Sequence, residues 1–383
     1  MAGSNSLQFA DLEPVGPGTP AGRYLRLFWQ PVYRASDLPS GRAKPIEVMG
    51  EKFTLYRDDS GVAHIVAFRC AHRGAQLSLG WIEGDALRCR YHGWKFAATG
   101  QCIEQPDEPK PFCERITIPT YPVREYAGLI FGFFGDGAPP LFRTFADIDQ
   151  PGIVFVDPVE ILPCSFWNKM DNDPAHVPWT HRASQRRLGR PEPFKVPHEQ
   201  LEEAPYGVRA LVRGGKSHHR FIMPNIGQWW PRSRAPGYEG RYLGETKMVF
   251  TVPLNDQKFA SYDVTHVPLV GAEGEAYAKA RAEVQEAEAE NRWEIAEKVL
   301  AGDLTLEEIS AELSGYTAFE IEDYCTQVGQ GPVAGRGQEH LGFTDIKVNL
   351  IRRLWLNEVR ALLEGRPLTE WKIPAEPYAL APQ

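Results

Sequence analysis

The amino-acid sequence predicts an α+β protein, with an all-β region first and a region of mixed strands and helices after it. From about residue 30 to residue 140, short apolar stretches alternate with Gly, Pro and Asp turns, a pattern typical of β-strands. Beyond this region, strand-like stretches alternate with helical patterns, the longest of which covers 275–300. The Gly- and Pro-rich segment 135–140 reads as a linker. We therefore predict an N-terminal segment (1–29), a β domain (30–140) and a C-terminal domain (141–383).

Four metal-ligating residues in the β domain have a spacing that indicates an iron–sulfur cluster. Cys70 and His72 form a C-x-H motif, and Cys89 and His92 form a C-x2-H motif, with sixteen residues between the two motifs. One thiolate and one imidazole in each motif suit a Rieske [2Fe–2S] cluster, in which the cysteines hold one iron and the histidines the other. A structural zinc site is the alternative, but zinc motifs usually pair Cys with Cys and His with His.

The residues that follow each motif carry a family resemblance. Gly74 and Gly93 stand shortly after the two histidines, where glycine lets the loop backbone approach a cluster. Tyr91 and Trp94 flank the second histidine and can supply a hydroxyl donor and an apolar cover. The segment resembles the Rieske domain of bacterial ring-hydroxylating oxygenases, whose motifs read C-x-H-R-G and C-x-Y-H-G-W.

A second motif lies in the C-terminal domain. Asp173, His176 and His181 fit D-x2-H-x4-H, which resembles the mononuclear iron motif of the same oxygenases. Two histidines and one carboxylate form the facial triad of non-haem Fe(II) enzymes. Asp173 and His176 can share a helix face, whereas His176 and His181 need a distortion between them, which Pro178 can supply. Relatives often carry Asn where this chain has Lys169. Without the first motif, two histidines near a helix kink would more often be structural residues.

The third iron ligand is expected far along the chain. Asp345 stands in an H-L-G-x-x-D context before an amphipathic helix that ends at Gly365, and the phthalate-type branch of these oxygenases carries its carboxylate ligand in a similar context. The alternative role for Asp345 is a helix N-cap, the commonest role of Asp at such a position. Asp323 is the next candidate if Asp345 is not the ligand.

Composition limits the functional classes. Hydrophobic residues make up 43% and charged residues 24% of the chain, as in ordinary globular proteins, and the net charge of −8 argues against nucleic acid or an anionic membrane as main partner. No membrane-length apolar run and no signal-peptide pattern is present, so we expect a cytoplasmic protein. The other four cysteines have no paired spacing and are expected to be reduced: Cys102, Cys113, Cys164 and Cys325.

The resemblance implies a fold and a reaction system. It implies an N-terminal all-β Rieske domain and a C-terminal helix-grip-like catalytic domain, an antiparallel sheet with helices that holds mononuclear Fe(II). It also implies a head-to-tail homotrimer in which Asp173 orients His176 and bridges toward a cluster histidine of the neighbouring subunit. The sequence has no Gly-rich dinucleotide fingerprint, so electrons from NAD(P)H must come through a separate reductase, with or without a ferredoxin.

The resemblance leaves the reaction open between ring hydroxylation and oxidative O-demethylation, by a mono- or dioxygenase. Family members of this branch act on phthalates, methoxylated benzoates and lignin-derived aromatic acids. Arg232 or Arg234 could bind a substrate carboxylate, although surface arginines are an equally good interpretation. A pure Rieske electron carrier and a redox-sensing binding protein are the alternatives from other classes. Oxygen consumption in the presence of a reductase separates both from an oxygenase.

Overall fold

The computed structural model describes most of the chain. The described residues are 7–172, 177–187, 200–212, 216–241, 243–287, 291–313 and 315–375. None of the helices in these ranges is long and apolar enough to cross a membrane.

The N-terminal region is built from three small antiparallel sheets, with strand orders β2-β3-β4-β9, β5-β6-β7-β8 and β1-β11-β10. Between residues 30 and 132, which are described without a gap, there is no α-helix, and the predicted all-β region is confirmed. The strands are β1 (Gln30–Arg34), β2 (Arg42–Val48), β3 (Glu51–Arg57), β4 (Ala63–Ala67), β5 (Trp81–Glu83), β6 (Ala86–Arg88), β7 (Lys95–Phe96), β8 (Cys102–Glu104), β9 (Thr120–Tyr121), β10 (Val123–Tyr126) and β11 (Leu129–Gly132).

The two cysteine–histidine motifs lie on loops at the ends of these strands. The first loop follows β4, and the second connects β6 with β7. A separate hydrophobic cluster supports both loops and contains the two motif cysteines themselves. Its buried members are Tyr56, Val66, Cys70, Leu77, Leu87, Cys89, Trp94, Phe96, Cys102 and Ile118. The loops are therefore anchored on a core of their own.

The C-terminal region contains one eight-stranded antiparallel sheet of order β12-β19-β18-β17-β16-β15-β14, with β13 also paired to β19. Along β18, Met248 and Phe250 are buried in the main core, and Lys247 lies on the opposite face, as strand alternation requires. The strands are β12 (Ile153–Val156), β13 (Glu160–Leu162), β14 (Gln200–Ala204), β15 (Gly207–Val212), β16 (Lys216–Ile222), β17 (Ile226–Trp229), β18 (Thr246–Asn255) and β19 (Lys258–Val267).

Apart from α1 near the N-terminus, the α-helices lie in the C-terminal region. They are α1 (Pro20–Leu25), α2 (Phe166–Met170), α3 (Val177–Thr180), α4 (Arg182–Arg187), α5 (Gly271–Ala287), α6 (Arg292–Ala301), α7 (Leu306–Glu312), α8 (Gly315–Gly329) and α9 (Ile346–Leu363). A sheet accompanied by helices is the fold class that the sequence predicted for this region.

Two helix predictions have different outcomes. Helix α9 runs from the residue after Asp345 to Leu363, as the apolar pattern predicted, and Gly365 follows with φ +66°. The predicted single helix over 275–300 is wrong, because the structure has two helices there, α5 and α6. Both helices also pack against the protein, since Tyr277 of α5 and Ala296 of α6 are fully buried. The sequence pattern missed these contacts because a few apolar residues among many Ala and Glu give little periodicity.

The N-terminal and C-terminal regions share one hydrophobic core. Phe131 of β11 packs edge-on against Phe250 of β18, with 5.7 Å between the ring centroids. Trp355 on α9 packs edge-on against Tyr24 of α1, with 5.0 Å between the ring centroids. The domain boundary near residue 140 thus stays a prediction from the sequence.

Candidate cluster-binding and iron-binding sites

The two cysteine–histidine loops have the same backbone geometry. In the first loop, the N–H of Cys70 donates to the carbonyl of Ala75 at 2.8 Å, and Gly74 N–H donates back to Cys70 at 2.9 Å. In the second loop, the corresponding distances are 2.8 Å from Cys89 to Trp94 and 3.1 Å from Gly93 to Cys89. Gly74 and Gly93 both have φ +72°, a left-handed conformation that favours glycine. The glycines are therefore required by the turns themselves.

The four side chains of the motifs come together between these loops. Cys70 and Cys89 are only 3% and 2% exposed, and burial raises the pKa of the Cys70 thiol to about 11, with a smaller contribution from the neighbouring Cys89. His72 and His92 are half-buried, and their ring centroids are 4.5 Å apart. The Nδ1 atom of His72 is buried and makes no hydrogen bond within the described residues.

This arrangement fits a Rieske cluster. Burial of the Cys70 thiol disfavours its ionised form and raises its pKa, and cluster iron would supply the positive charge that offsets this effect. A buried imidazole nitrogen without a hydrogen bond is a costly feature unless it serves as a ligand. The cysteines lie on the inner side and the histidines on the outer side, so the histidine edge is the part of the site nearest the surface.

Aromatic residues surround this histidine edge. Trp94 stacks on His72 with 4.5 Å between centroids and 5° between the ring planes, and Phe112 packs edge-on against Trp94. The exposed ring of Tyr91 lies beside His92, 3.8 Å between centroids. The predicted apolar cover by Trp94 is therefore present, while Tyr91 faces the solvent.

The second candidate site is centred on His181. This residue is fully buried and lies between α3, which ends at Thr180, and α4, which begins at Arg182. The break in the helical path thus comes at the histidine itself, whereas the sequence analysis placed the distortion at Pro178.

His181 is held between two consecutive acidic residues of α8. Its Nδ1 lies 3.0 Å from Oε2 of Glu322, and its Nε2 lies 3.2 Å from Oδ1 of Asp323. The ring of Phe319, one turn earlier on α8, stacks on the imidazole at 12° between planes. Burial lowers the pKa of His181, but hydrogen bonding with Asp323 and Glu322 outweighs burial and raises the pKa above its ordinary value.

This geometry fits one half of a metal site. One imidazole nitrogen is hydrogen-bonded to a carboxylate, and the other nitrogen faces a second carboxylate, as in the carboxylate–histidine–metal arrangement. Within the described residues, no group of three His, Cys, Asp or Glu side chains forms a complete metal site. Asp173 and His176 lie outside the described residues, so the structure does not test their predicted roles.

Asp345 has a different environment from the one predicted for an iron ligand. Its Oδ2 accepts a hydrogen bond from the backbone N–H of Gly342 at 2.6 Å, immediately before α9. Asp345 occupies the N-cap position of α9, as the alternative in the sequence analysis had it, but its side chain makes no capping hydrogen bond to α9 and instead closes the preceding 3-10 turn. The described contacts therefore bring Asp323, and not Asp345, to His181.

Comparisons with known proteins identify the N-terminal domain and two relatives of similar length. Residues 28–122 match the Rieske [2Fe-2S] domain family. The oxygenase subunit of 5,5'-dehydrodivanillate O-demethylase from a Sphingobium species is 28% identical, with 92% of this chain and 80% of the relative aligned. The alpha subunit of phenoxybenzoate dioxygenase from Ectopseudomonas oleovorans is 29% identical, with 92% and 85% aligned. The N-terminal region is thus a Rieske domain, and these relatives, aligned along most of the chain, are named as oxygenase subunits.

A solved structure supports the fold of the chain along nearly its whole length. The oxygenase in the reduced complex between oxygenase and ferredoxin of carbazole 1,9a-dioxygenase superposes with a TM-score of 0.62. The match covers 94% of this chain and 95% of the other, at 17% sequence identity. The predicted α+β fold, with a Rieske domain before a sheet-and-helix domain, is thereby confirmed.

Sequence reasoning missed Glu322 and kept Asp323 only as a second choice for the third iron ligand. A signal for Glu322 was present, because Ala318, Ile321, Glu322 and Cys325 are spaced as one buried helix face. A carboxylate on such a face is rarely buried without a partner. The sequence did not show that the partner is a histidine far earlier in the chain.

A partly buried ionic network continues from α8 to β13. Glu320, three residues before Asp323, pairs with Arg234 at 3.3 Å and with Arg292 at 3.2 Å. Arg292 also pairs with Glu160 at 2.8 Å. Burial, with repulsion from neighbouring carboxylates, raises the pKa of Glu160 to about 7. Arg234 is therefore connected through Glu320 to the helix that carries Asp323, whereas the exposed Arg232 donates to the carbonyl of Gly240.

Proposed function

We propose that this chain is the terminal oxygenase component of a Rieske non-haem iron system that inserts oxygen into an aromatic substrate. The observation that carries the proposal is the pairing of buried His181 with Asp323 in a chain whose N-terminal region is a Rieske domain. An electron carrier alone would not need a histidine–carboxylate pair buried in a second domain.

The residues proposed for the two metal groups follow from the motifs and the contacts. Cys70, His72, Cys89 and His92 would hold the [2Fe–2S] cluster. His176, His181 and Asp323 would hold a mononuclear Fe(II), with Asp323 in the place that the sequence analysis gave to Asp345. When bound, the cluster supplies single electrons and the mononuclear iron activates dioxygen.

The chain's own residues would prepare this iron site. Full burial of His181 excludes water from the ring, and stacking on Phe319 limits its rotation. Asp323 contributes the one anionic ligand, on which the affinity of a facial triad for iron depends. Asp173 would orient His176 and bridge toward a cluster histidine of a neighbouring subunit.

The substrate is proposed to be an aromatic acid. The relatives named above act, by their names, on dehydrodivanillate and phenoxybenzoate, both of which combine an aromatic ring with a carboxylate and an ether oxygen. Arg234 is the better candidate for the substrate carboxylate, because its partner Glu320 lies on α8 beside Asp323. Ring hydroxylation and oxidative O-demethylation are both compatible with this placement.

Electrons are proposed to come from a separate reductase, with or without a ferredoxin. A complex with a ferredoxin is described for the carbazole oxygenase, whose fold this chain shares. The sequence has no dinucleotide fingerprint of its own.

A head-to-tail homotrimer would bury exposed apolar side chains of both regions. In the N-terminal region, Tyr91 lies beside His92 and is 61% exposed. In the C-terminal region, Trp179 and Phe343 are 75% and 77% exposed. Large exposed apolar side chains of this kind mark interaction surfaces.

The test is a reductase-coupled screen of aromatic acids and their methyl ethers. Oxygen consumption with formation of a hydroxylated product, or with release of formaldehyde, would support the proposed function and identify the reaction. The opposite outcome is a cluster that is reduced while no substrate causes oxygen consumption, although the mononuclear iron is verified to be present. In that case an electron carrier would be the better interpretation.

A further inference from the structure

Glu322 is a fully buried acidic residue that the proposed iron-ligand set does not use. It lies on α8 among buried apolar residues, with Ile321 before it and Cys325 one turn after it. Burying a carboxylate costs several kcal/mol unless hydrogen bonds and charges compensate it. A buried carboxylate therefore needs hydrogen-bond partners, and each of the two carboxylate oxygens of Glu322 has a partner.

The two carboxylate oxygens of Glu322 reach two different parts of the same neighbouring segment. Oε2 lies 3.0 Å from Nδ1 of His181, and Oε1 accepts the backbone N–H of Ser184 at 3.2 Å. Ser184 is itself fully buried in α4. Glu322 therefore connects α8 both to the imidazole and to the helix that follows it.

These contacts determine which nitrogen of His181 is available to a metal. An ionised carboxylate can only accept hydrogen bonds, so the hydrogen between Glu322 and the imidazole is carried by Nδ1. The lone pair of the neutral ring is then on Nε2, the nitrogen that faces Asp323 at 3.2 Å. Glu322 and Asp323 thus contact opposite nitrogens of the His181 ring. Glu322 accepts the hydrogen bond from Nδ1, and Asp323 is proposed to bind the same iron as Nε2.

We propose that Glu322 is a positioning residue that fixes the tautomer and the rotation of His181 for metal binding by Nε2. The inference rests on the proposed mononuclear iron site and extends it by a role for a residue outside the ligand set. Glu322 also docks α4 on α8 through Ser184, so the position of the ring is coupled to the packing of the two helices.

The test is the affinity of the mononuclear site for Fe(II), measured by anaerobic titration of protein depleted of that iron but retaining its cluster. Glu322→Gln keeps the shape of the side chain and removes its charge, which makes it the informative variant. We expect its Kd for Fe(II) to rise about 10- to 100-fold, the usual effect of losing a residue that orients a metal ligand. We expect Glu322→Ala to raise Kd at least as much.

Two further measurements separate positioning from a structural role. The first is thermal unfolding of the iron-depleted protein, which Glu322→Gln should not lower, because the amide fills the same space without a buried charge. The second is the matched variant Glu358→Gln, which removes a buried acidic residue of α9 that accepts hydrogen bonds from Thr369. Its Kd for Fe(II) should equal that of the unmodified chain.

The outcomes distinguish this inference from the proposed function on which it rests. An unchanged Kd in folded Glu322→Gln, together with iron loss in Asp323→Asn, would overturn the role of Glu322 and keep the iron site. Equal Fe(II) binding by the unmodified chain and by Asp323→Asn would overturn the iron site, and the role of Glu322 with it.

Discussion

The Nε2 atom of His181 lies 3.2 Å from Oδ1 of Asp323, although 141 residues separate them in the sequence. Both atoms are of the kind that binds non-haem iron, and both are inside the protein rather than at its surface. In the iron-depleted chain, a proton between them would satisfy both groups, and the raised pKa of His181 agrees with such sharing. A metal ion bound at this position would have to displace that proton.

The first prediction concerns the anionic ligand. Asp323→Asn should lose the mononuclear iron and all turnover while keeping the cluster, because the amide removes the one negative charge among the proposed ligands. Iron and acid-labile sulfide per chain, with the Rieske EPR signal, measure both effects.

Asp345→Asn is the matched variant for this experiment. It should keep its iron and weaken only the hydrogen bond from the Gly342 N–H, a net contribution of about 0.5–1.5 kcal/mol. Loss of iron from Asp345→Asn but not from Asp323→Asn would restore the assignment made from the sequence.

The contrast between these two aspartates shows what the sequence could predict. The cluster motifs could be predicted from the sequence because each loop carries its cysteine, histidine and glycine within a few residues. In the structure, both loops form the same turn. The pairing of His181 with Asp323 could not be predicted from the sequence, because it depends on how α4 packs against α8. Asp345 was attractive because a helix cap and a metal ligand both favour Asp, and the local sequence does not separate these roles.

The second prediction concerns the cluster. Cys89→Ser should abolish the Rieske visible and EPR signals, since the thiolate is one of four proposed ligands. Cys113→Ser removes a half-buried cysteine outside the motif and should leave both signals in place. Full signals in Cys89→Ser, or zinc in place of iron at this site, would contradict the cluster assignment.

The third prediction concerns acid stability and Asp58, which closes the turn between β3 and β4. Burial alone would raise the pKa of Asp58, but hydrogen bonds from His64, Ser60 and Val62 outweigh it and lower the pKa to about 2. The folded-state pKa is below the unfolded one, so the ionised carboxylate stabilises the fold above about pH 4. This contribution should be lost as the pH falls from about 4 to about 2.

Urea unfolding between pH 6 and pH 2 measures this effect. Asp58→Asn should be less stable than the unmodified chain at pH 6, and the difference should shrink toward pH 2. A difference that stays constant over this range would mean that the ionisation of Asp58 does not contribute to stability.

The fourth prediction concerns substrate charge. If Arg234 binds the substrate carboxylate, Arg234→Gln should raise KM for an aromatic acid about tenfold to a hundredfold, since hydrogen bonds to charged groups contribute roughly 1.5–3 kcal/mol. The methyl ester of the same acid should be nearly unaffected. Arg232→Gln, at an exposed position, should change neither KM value. If Arg234→Gln changes KM equally for the acid and for its ester, Arg234 does not bind the substrate carboxylate.

The last prediction tests whether electrons pass between subunits. In the proposed head-to-tail trimer, the cluster of one chain passes electrons to the iron of the neighbouring chain. A chain with a defective cluster can therefore still provide a working iron site for a neighbour whose cluster is intact. A His92→Ala chain would supply an intact iron site, and an Asp323→Ala chain would supply an intact cluster. Each variant alone should be inactive.

Co-expression of the two variants should restore part of the activity, because some interfaces of a mixed trimer pair an intact cluster with an intact iron site. Asp173→Ala should keep both metal groups and a reducible cluster but lose turnover, since the proposed bridge orients a ligand rather than binding iron. Subunit mixing must be verified by tagging the two variants differently and isolating trimers that carry both tags. If such trimers are inactive, electron transfer within one chain becomes the better explanation. The exposure of Tyr91 and Phe343 would then need an explanation other than this subunit interface.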